Sequence, residues 1–71
     1  MSAITVCANA VIRYWHTPAG KKRYNAAIKA GARDYGALLC VARDAVPFLD
    51  DASLFDIAAE AQAIKNMGQA Q

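Results

Sequence analysis

The sequence predicts an all-α protein, a small three-helix domain with a long central helix. Apolar residues recur at helical spacing along most of the chain, and Thr17-Pro18 and Pro47 divide it into three segments. A length of 71 residues suits one domain only. We expect one all-helical domain over residues 1–71, with helices near residues 2–16, 18–46 and 52–67.

The first predicted helix is apolar over most of its circumference. Its polar residues fall on one narrow stripe and everything between them is apolar. The stripe consists of Ser2, Thr5, Asn9, Arg13 and His16. Because so short a chain has little other surface with which to cover this helix, we expect part of it to meet a second copy or a target.

The second helix begins at Thr17-Pro18, where threonine is placed to cap and proline occupies the first helical position. One apolar phase then continues from Tyr24 to Val46, which favours a single long helix. Gly31 and Gly36 each cost about 1 kcal/mol in a helix interior, so a break near Gly31 is the alternative. In an unbroken helix, Gly31 would allow close approach of a neighbouring helix.

The third helix follows a short connection. Pro47 ends the second helix, and Phe48 and Leu49 are expected to pack beneath the bundle. Ser53 and Asp56 suit a helix start. A modest apolar stripe then predicts the buried face, namely Leu54, Ile57, Ala58, Ala61 and Ile64.

Charge is unevenly distributed along the chain. Residues 1–33 contain six Lys and Arg residues and no acid, whereas residues 34–71 contain two cations and six acids. Such asymmetry indicates an acidic partner for the basic half, or two copies packed head to tail. The alternative is that both halves are simply solvated.

The residues capable of chemistry do not form an enzyme-like pattern. His16, the single histidine, has no cysteine, aspartate or glutamate near it in sequence. Cys7 and Cys40 have neither metal-site nor redox-motif spacing, and no glycine-rich phosphate loop occurs. We therefore predict no catalysis, no metal and no cofactor. A site assembled by folding from His16 and either cysteine is the open alternative.

The sequence also bears on location. Its first residues lack a basic leader, and no apolar run approaches the length that spans a bilayer. Two cysteines without a disulfide-like pattern suit a reducing compartment. We expect a cytoplasmic protein that does not associate with membranes.

The predicted binding surface flanks the Thr17-Pro18 corner. It combines the single tryptophan and two of the three tyrosines with cations, and Trp, Tyr and Arg dominate interface energetics. The predicted partner-binding residues are Arg13, Tyr14, Trp15, Lys21, Lys22, Arg23, Tyr24 and Lys29. Aromatic anchors ringed by cations would suit an acidic protein groove. The alternative is that Trp15 and Tyr24 are ordinary core residues beside solvated lysines.

These features predict a non-enzymatic protein–protein interaction module, such as an inhibitor, adaptor or regulatory subunit. The chain has 17 alanines, which fill little volume, so we also expect a helical homodimer. The predicted dimer interface consists of Ile4, Val11, Ile28, Gly31, Tyr35 and Leu38. A structural oligomer with no outside partner is an alternative function.

DNA or RNA binding is the other alternative. Lys21, Asn25, Lys29 and Arg33 form a basic ladder at helical spacing, which suits phosphate contacts. Ala27 and Gly31 have the four-residue spacing found in helix-turn-helix units. The segment from residue 35 to residue 41 nevertheless lacks the arginine, asparagine or glutamine that reads base edges. Any such binding is therefore expected to be largely non-specific.

Overall fold

A break at Gly31 divides the predicted central helix, so residues 2–69 form four helices and not three. The computed structural model describes residues 2–69, and all regular secondary structure in that range is α-helical. The helices are α1 (Ala3–Trp15), α2 (Pro18–Lys29), α3 (Asp34–Ala45) and α4 (Asp51–Gln69). The all-α prediction is confirmed, and the continuous helix over residues 18–46 is wrong.

The break is a Schellman turn. Gly31 has a φ of 106°, a left-handed conformation that glycine adopts without a Cβ clash. The N–H of Ala32 donates to the carbonyl of Ala27, and the N–H of Gly31 to that of Ile28, both at 3.0 Å. These bonds satisfy the last carbonyls of α2. Gly31 therefore ends a helix instead of weakening the interior of one.

The predicted helix starts are confirmed where side-chain caps define them. Ser2 caps α1, because its Oγ accepts the N–H of Thr5 at 3.1 Å. Thr17 caps α2 in the same way through the N–H of Gly20, also at 3.1 Å. Pro18 takes the first helical position, where a missing N–H leaves no bond unmade.

The helices form layers around the pair α1 and α3, which contact each other. α2 packs against both of them, and so does α4, while the backbones of α2 and α4 do not meet within the described range. The outward faces of α2 and α4 therefore belong to helices whose backbones are not in contact. None of the helices within residues 2–69 has the length and apolar character needed to cross a lipid bilayer.

The core lies mainly among α1, α3 and α4. Its largest fully buried side chains are Leu38, Ile57, Val11 and Val41. All five positions of the stripe predicted for the last helix are buried or half-buried. Because α1 contacts the three other helices, its apolar surface is largely covered within one chain, contrary to expectation. Ile4 and Val6 are the large apolar residues of α1 that stay exposed.

Two further expectations are corrected by burial. Val11 and Leu38 were predicted to contact a second copy, but both are fully buried within the single chain and offer no surface. Tyr35 is half-buried, and its hydroxyl donates to the carbonyl of Phe55 at 3.2 Å. Ile4, Ile28 and Gly31 are exposed. Phe48 does not pack beneath the bundle, since 80% of it is exposed, while its neighbour Leu49 packs against the core.

Candidate functional site

The corner between α1 and α2 is tight and fixes the predicted binding segment. Thr17 Oγ1 donates to the carbonyl of Tyr14 at 2.6 Å while accepting the Gly20 N–H. Gly20 is buried against the end of α1, and a Cβ built there would lie 2.7 Å from the Cα of Trp15. The absence of a side chain at Gly20 lets α2 cross this closely, so the surrounding side chains have little freedom.

The predicted aromatic anchors turn inward. Trp15 and Tyr24 are half-buried and pack together with ring centroids 5.5 Å apart. Tyr14 is also half-buried and packs against the core. The indole Nε1 of Trp15 is buried and has no hydrogen-bond partner among residues 2–69. The packing of Trp15 and Tyr24 agrees with the alternative interpretation of the sequence, in which both are structural residues.

Two lysines complete the aromatic cluster. The Nζ atom of Lys21 lies 3.8 Å from the ring centroid of Trp15, and that of Lys65 lies 5.4 Å away. Both positions are favourable because the face of an indole ring carries partial negative charge. Lys65 extends from α4, and only 10% of its side chain is exposed. The cluster thus ties the corner to the far helix.

Asp34 is the centre of the polar network behind these rings. Its Oδ1 accepts the hydroxyl of Tyr24 at 2.6 Å and lies 3.1 Å from Lys65 Nζ. Its Oδ2 accepts a hydrogen bond from Gln62 Nε2 at 3.3 Å. One carboxylate at the start of α3 therefore joins α2 to α4.

The network shifts two pKa values in opposite directions. Partial burial alone would raise the pKa of Asp34, but hydrogen bonds from Tyr24, Lys65 and Gln62 and the positive charge of Lys65 outweigh it and hold that pKa below its ordinary value. Burial, the hydrogen bond to Asp34 and its negative charge raise the pKa of Tyr24 to about 12. Asp34 is thus held ionised and Tyr24 neutral.

The network around Asp34 was not predicted from the sequence. Asp34 lies 28 positions from Gln62, and nothing local connects the two. A usable signal was the phase of Lys65, which falls on the same face of α4 as Leu54 and Ala61. A cation on a buried face needs an acidic partner from another helix, and such a partner is what Asp34 supplies.

A surface groove brings together three of the predicted partner-binding residues. Tyr14, Lys22 and Arg23 line a depression of about 310 Å³, together with Ala19, Ala26 and Asp44. Its apolar surface comes from the tyrosine and the two alanines. Arg23 is anchored at its edge by an ion pair with Asp44, at 3.5 Å. We name this depression the α2 groove.

Four exposed cations lie on α2 or near its ends in sequence. Lys22 and Lys29 are exposed on the outward side of α2, a helix that contains no acidic residue. Arg13 and Arg33 are exposed beside it in sequence, just before and just after α2. Within residues 2–69, none of these four side chains forms an ion pair with a carboxylate.

α2 and α3 contact each other and are joined by the short Gly31 turn, two features that a helix-turn-helix unit also has. Ala27 is buried and Gly31 is left-handed, as such units require. The outward side of α3 is poorly suited to reading bases, however. Its Arg43 pairs with Asp51 at 3.0 Å, and its Asp44 pairs with Arg23. Both side chains are already engaged.

A second depression, of about 440 Å³, lies between the ends of α1 and α4. Ile12, Trp15, His16, Ile64, Lys65 and Gly68 line it. His16 is exposed and stacks near Trp15, with ring centroids 4.9 Å apart. No three His, Cys, Asp or Glu side chains within residues 2–69 are grouped closely enough to hold a metal ion.

No model of a known protein family, no curated protein and no solved structure matches this chain.

Proposed function

We propose that this protein is a small non-enzymatic interaction module that binds an acidic surface of a partner protein through α2 and its groove. The observation that carries the proposal is the acid-free cationic side of α2 beside a depression whose lining is partly apolar. A stoichiometric binder of this kind acts as an inhibitor, adaptor or regulatory subunit.

The groove favours a protein partner over a nucleic acid. Tyr14, Ala19 and Ala26 provide an apolar surface that suits a partner's aliphatic or aromatic side chain. Lys22 and Lys29 lie on the same helix and suit acidic residues flanking that side chain. Asp44 of the lining is paired with Arg23, so the preference for a protein partner rests on the apolar part of the groove.

The proposed residues are fewer than the sequence predicted. Lys22, Lys29 and Arg13 remain as cationic contacts, and Tyr14 and Arg23 as part of the groove lining. Trp15, Tyr24 and Lys21 contribute by holding the corner in place, since their side chains are occupied with one another or with Asp34.

The proposal is tested by affinity capture from a nuclease-treated cell extract. Three baits are compared: the wild type, Lys22→Gln with Lys29→Gln, and a control carrying Ala3→Glu with Phe48→Glu. The control residues are exposed on α1 and in the loop before α4, and both double variants lower the net charge equally. We expect the wild type and the control to recover the same stoichiometric protein and the lysine variant to lose it. Equal recovery by all three baits would exclude α2 as the binding surface.

Nucleic-acid binding is the second candidate, favoured by the features that α2, the Gly31 turn and α3 share with a helix-turn-helix unit. It predicts affinity for a labelled DNA duplex that falls steeply with added salt, because bound cations displace counterions from phosphates. Fluorescence anisotropy of a mixed-sequence duplex measures this directly. Replacing Lys22 with glutamine should reduce the salt slope by about one.

We also propose that the protein acts in the cytoplasm, a location supported by its two unpaired cysteines, Cys7 and Cys40. Homodimer formation through the first helix stays a prediction. Of the six residues predicted for that interface, Ile4, Ile28 and Gly31 are exposed.

A further inference from the structure

The outward side of α4 differs from that of α2 in both charge and polarity. Asp56 is exposed there and Glu60 half-exposed, and neither forms an ion pair within residues 2–69. The only cation of α4, Lys65, points inward to Asp34. The outward side of α4 therefore carries negative charge alone.

The same side of α4 is unusually apolar for a solvated helix. Phe55 is 46% exposed and Met67 is 66% exposed. Ala52, Ala59 and Ala63 are exposed between them and present little bulk. A helix face that combines large apolar side chains with small ones offers a flat surface on which another helix can pack closely.

We propose that the outward side of α4 of one copy binds the outward side of α2 of a second copy. The charges are complementary, since Asp56 and Glu60 would face Lys22 and Lys29. The apolar parts also correspond, because Ile28 of α2 is 41% exposed and can contact Phe55 or Met67. The occupant is a second copy of this chain, and the inference does not depend on the identity of any outside partner.

The arrangement of the helices determines what such a contact builds. The backbones of α2 and α4 do not contact each other, so the two surfaces are separate. After the first contact, one copy keeps an unused α2 surface and the other copy keeps an unused α4 surface. The contact is head to tail and not self-complementary. Assemblies of several copies therefore lengthen as the protein concentration rises, unless the geometry closes them into a ring. The contact differs in this way from the homodimer that the sequence predicted.

Self-association would compete with the proposed partner, because both use Lys22 and Lys29. The α4 surface of one copy then occupies α2 of another copy in place of the acidic partner. An acidic ligand of α2 is expected to dissociate the chains, and dilution is expected to expose α2 for binding.

Paired charge reversals test the contact. One variant carries Lys22→Glu with Lys29→Glu, and the other carries Asp56→Lys with Glu60→Lys. Sedimentation velocity should show concentration-dependent growth for the wild type in about 0.05 M salt and its loss in about 0.5 M salt, where charges are screened. Each variant alone should remain monomeric. A mixture of the two should associate again, because each supplies the surface that the other lacks.

The outcomes separate clearly. A wild type that stays monomeric in low salt overturns the proposal, as does association that persists in both variants or a mixture that fails to associate. Circular dichroism confirms that each variant is folded. If either fails to fold, the milder pairs Lys22→Gln with Lys29→Gln and Asp56→Asn with Glu60→Gln replace them, and each must weaken the wild-type association. Loss of partner capture with retained self-association would count against the proposed function only.

Discussion

Gly20 has the strictest local requirement of any residue in the corner. A Cβ there would collide with the backbone carbonyl of Tyr14 and with the Cα of Trp15, and backbone atoms cannot give way as a flexible side chain can. We expect Gly20→Ala to destabilise the fold by about 1–3 kcal/mol or more. Chemical denaturation measures the difference.

Gly36 is the matched control, since a Cβ there meets only the Cβ of Ala32 at 3.5 Å. It lies inside α3, so Gly36→Ala should stabilise the protein by about 0.5–1 kcal/mol. Loss of stability in both variants would show that the α1 and α2 crossing is not the special feature of Gly20.

Asp34 should make stability depend on pH at the acidic end. Its folded pKa is lowered, so its contribution is present above the unfolded value of about 3.9 and is lost as the pH falls through the folded value. Asp34→Asn should cost about 1.5–3 kcal/mol at neutral pH and should flatten the acidic loss of stability. Thermal unfolding at a series of pH values checks both effects. Parallel acidic curves for the two proteins would contradict the assignment.

Tyr24 makes the corresponding prediction at the alkaline end. Because its pKa is raised to about 12 in the folded protein, its contribution is complete below the unfolded value of about 10 and declines as the pH rises through the folded value. Tyr24→Phe removes the ionisable group, so the variant should lose less stability over that interval. Absorbance titration of the tyrosines provides an independent reading of the pKa.

Among the helices, the sequence predicted helix type and most boundaries, and it gave the break at Gly31 only as the alternative to one long helix. The four residues between α2 and α3, residues 30–33, number only slightly more than one helical turn of about 3.6 residues. The apolar phase therefore continues across the turn as though the helix were unbroken. The apolar phase alone could not distinguish a continuous helix from a broken one. The correct signal was Gly31, because glycine often ends helices.

The turn itself yields a prediction. No atom lies within 4 Å of a Cβ built on Gly31, so the cost of Gly31→Ala would come from backbone conformation and not from a steric clash. With φ at 106°, an L-residue is strained there, and we expect a loss of at least about 1 kcal/mol. Gly31→Asn should lose less, because asparagine tolerates left-handed conformations better. Equal stability of the alanine variant and the wild type in denaturant titrations would mean that the chain can close this turn differently.

In the folded molecule, the basic and acidic halves of the sequence form different surfaces. The acid-free first 33 residues place Lys22 and Lys29 on the outward side of α2, and the acid-rich remainder places Asp56 on the outward side of α4. Composition predicted that asymmetry. It could not show that Trp15 and Tyr24 would be drawn inward, because their partner Asp34 and its neighbour Lys65 meet only in the folded chain.

The proposed binding surface for acidic protein segments consists of α2 and its groove. The most direct measurement is a heteronuclear NMR titration of the whole chain with a synthetic peptide of alternating glutamate and leucine. The proposal predicts amide shifts concentrated at Ala19, Lys22 and Ala26, weakened in the Lys22→Gln variant. An unchanged spectrum, or shifts confined to Ile64 and Gly68 in the second depression, would contradict it.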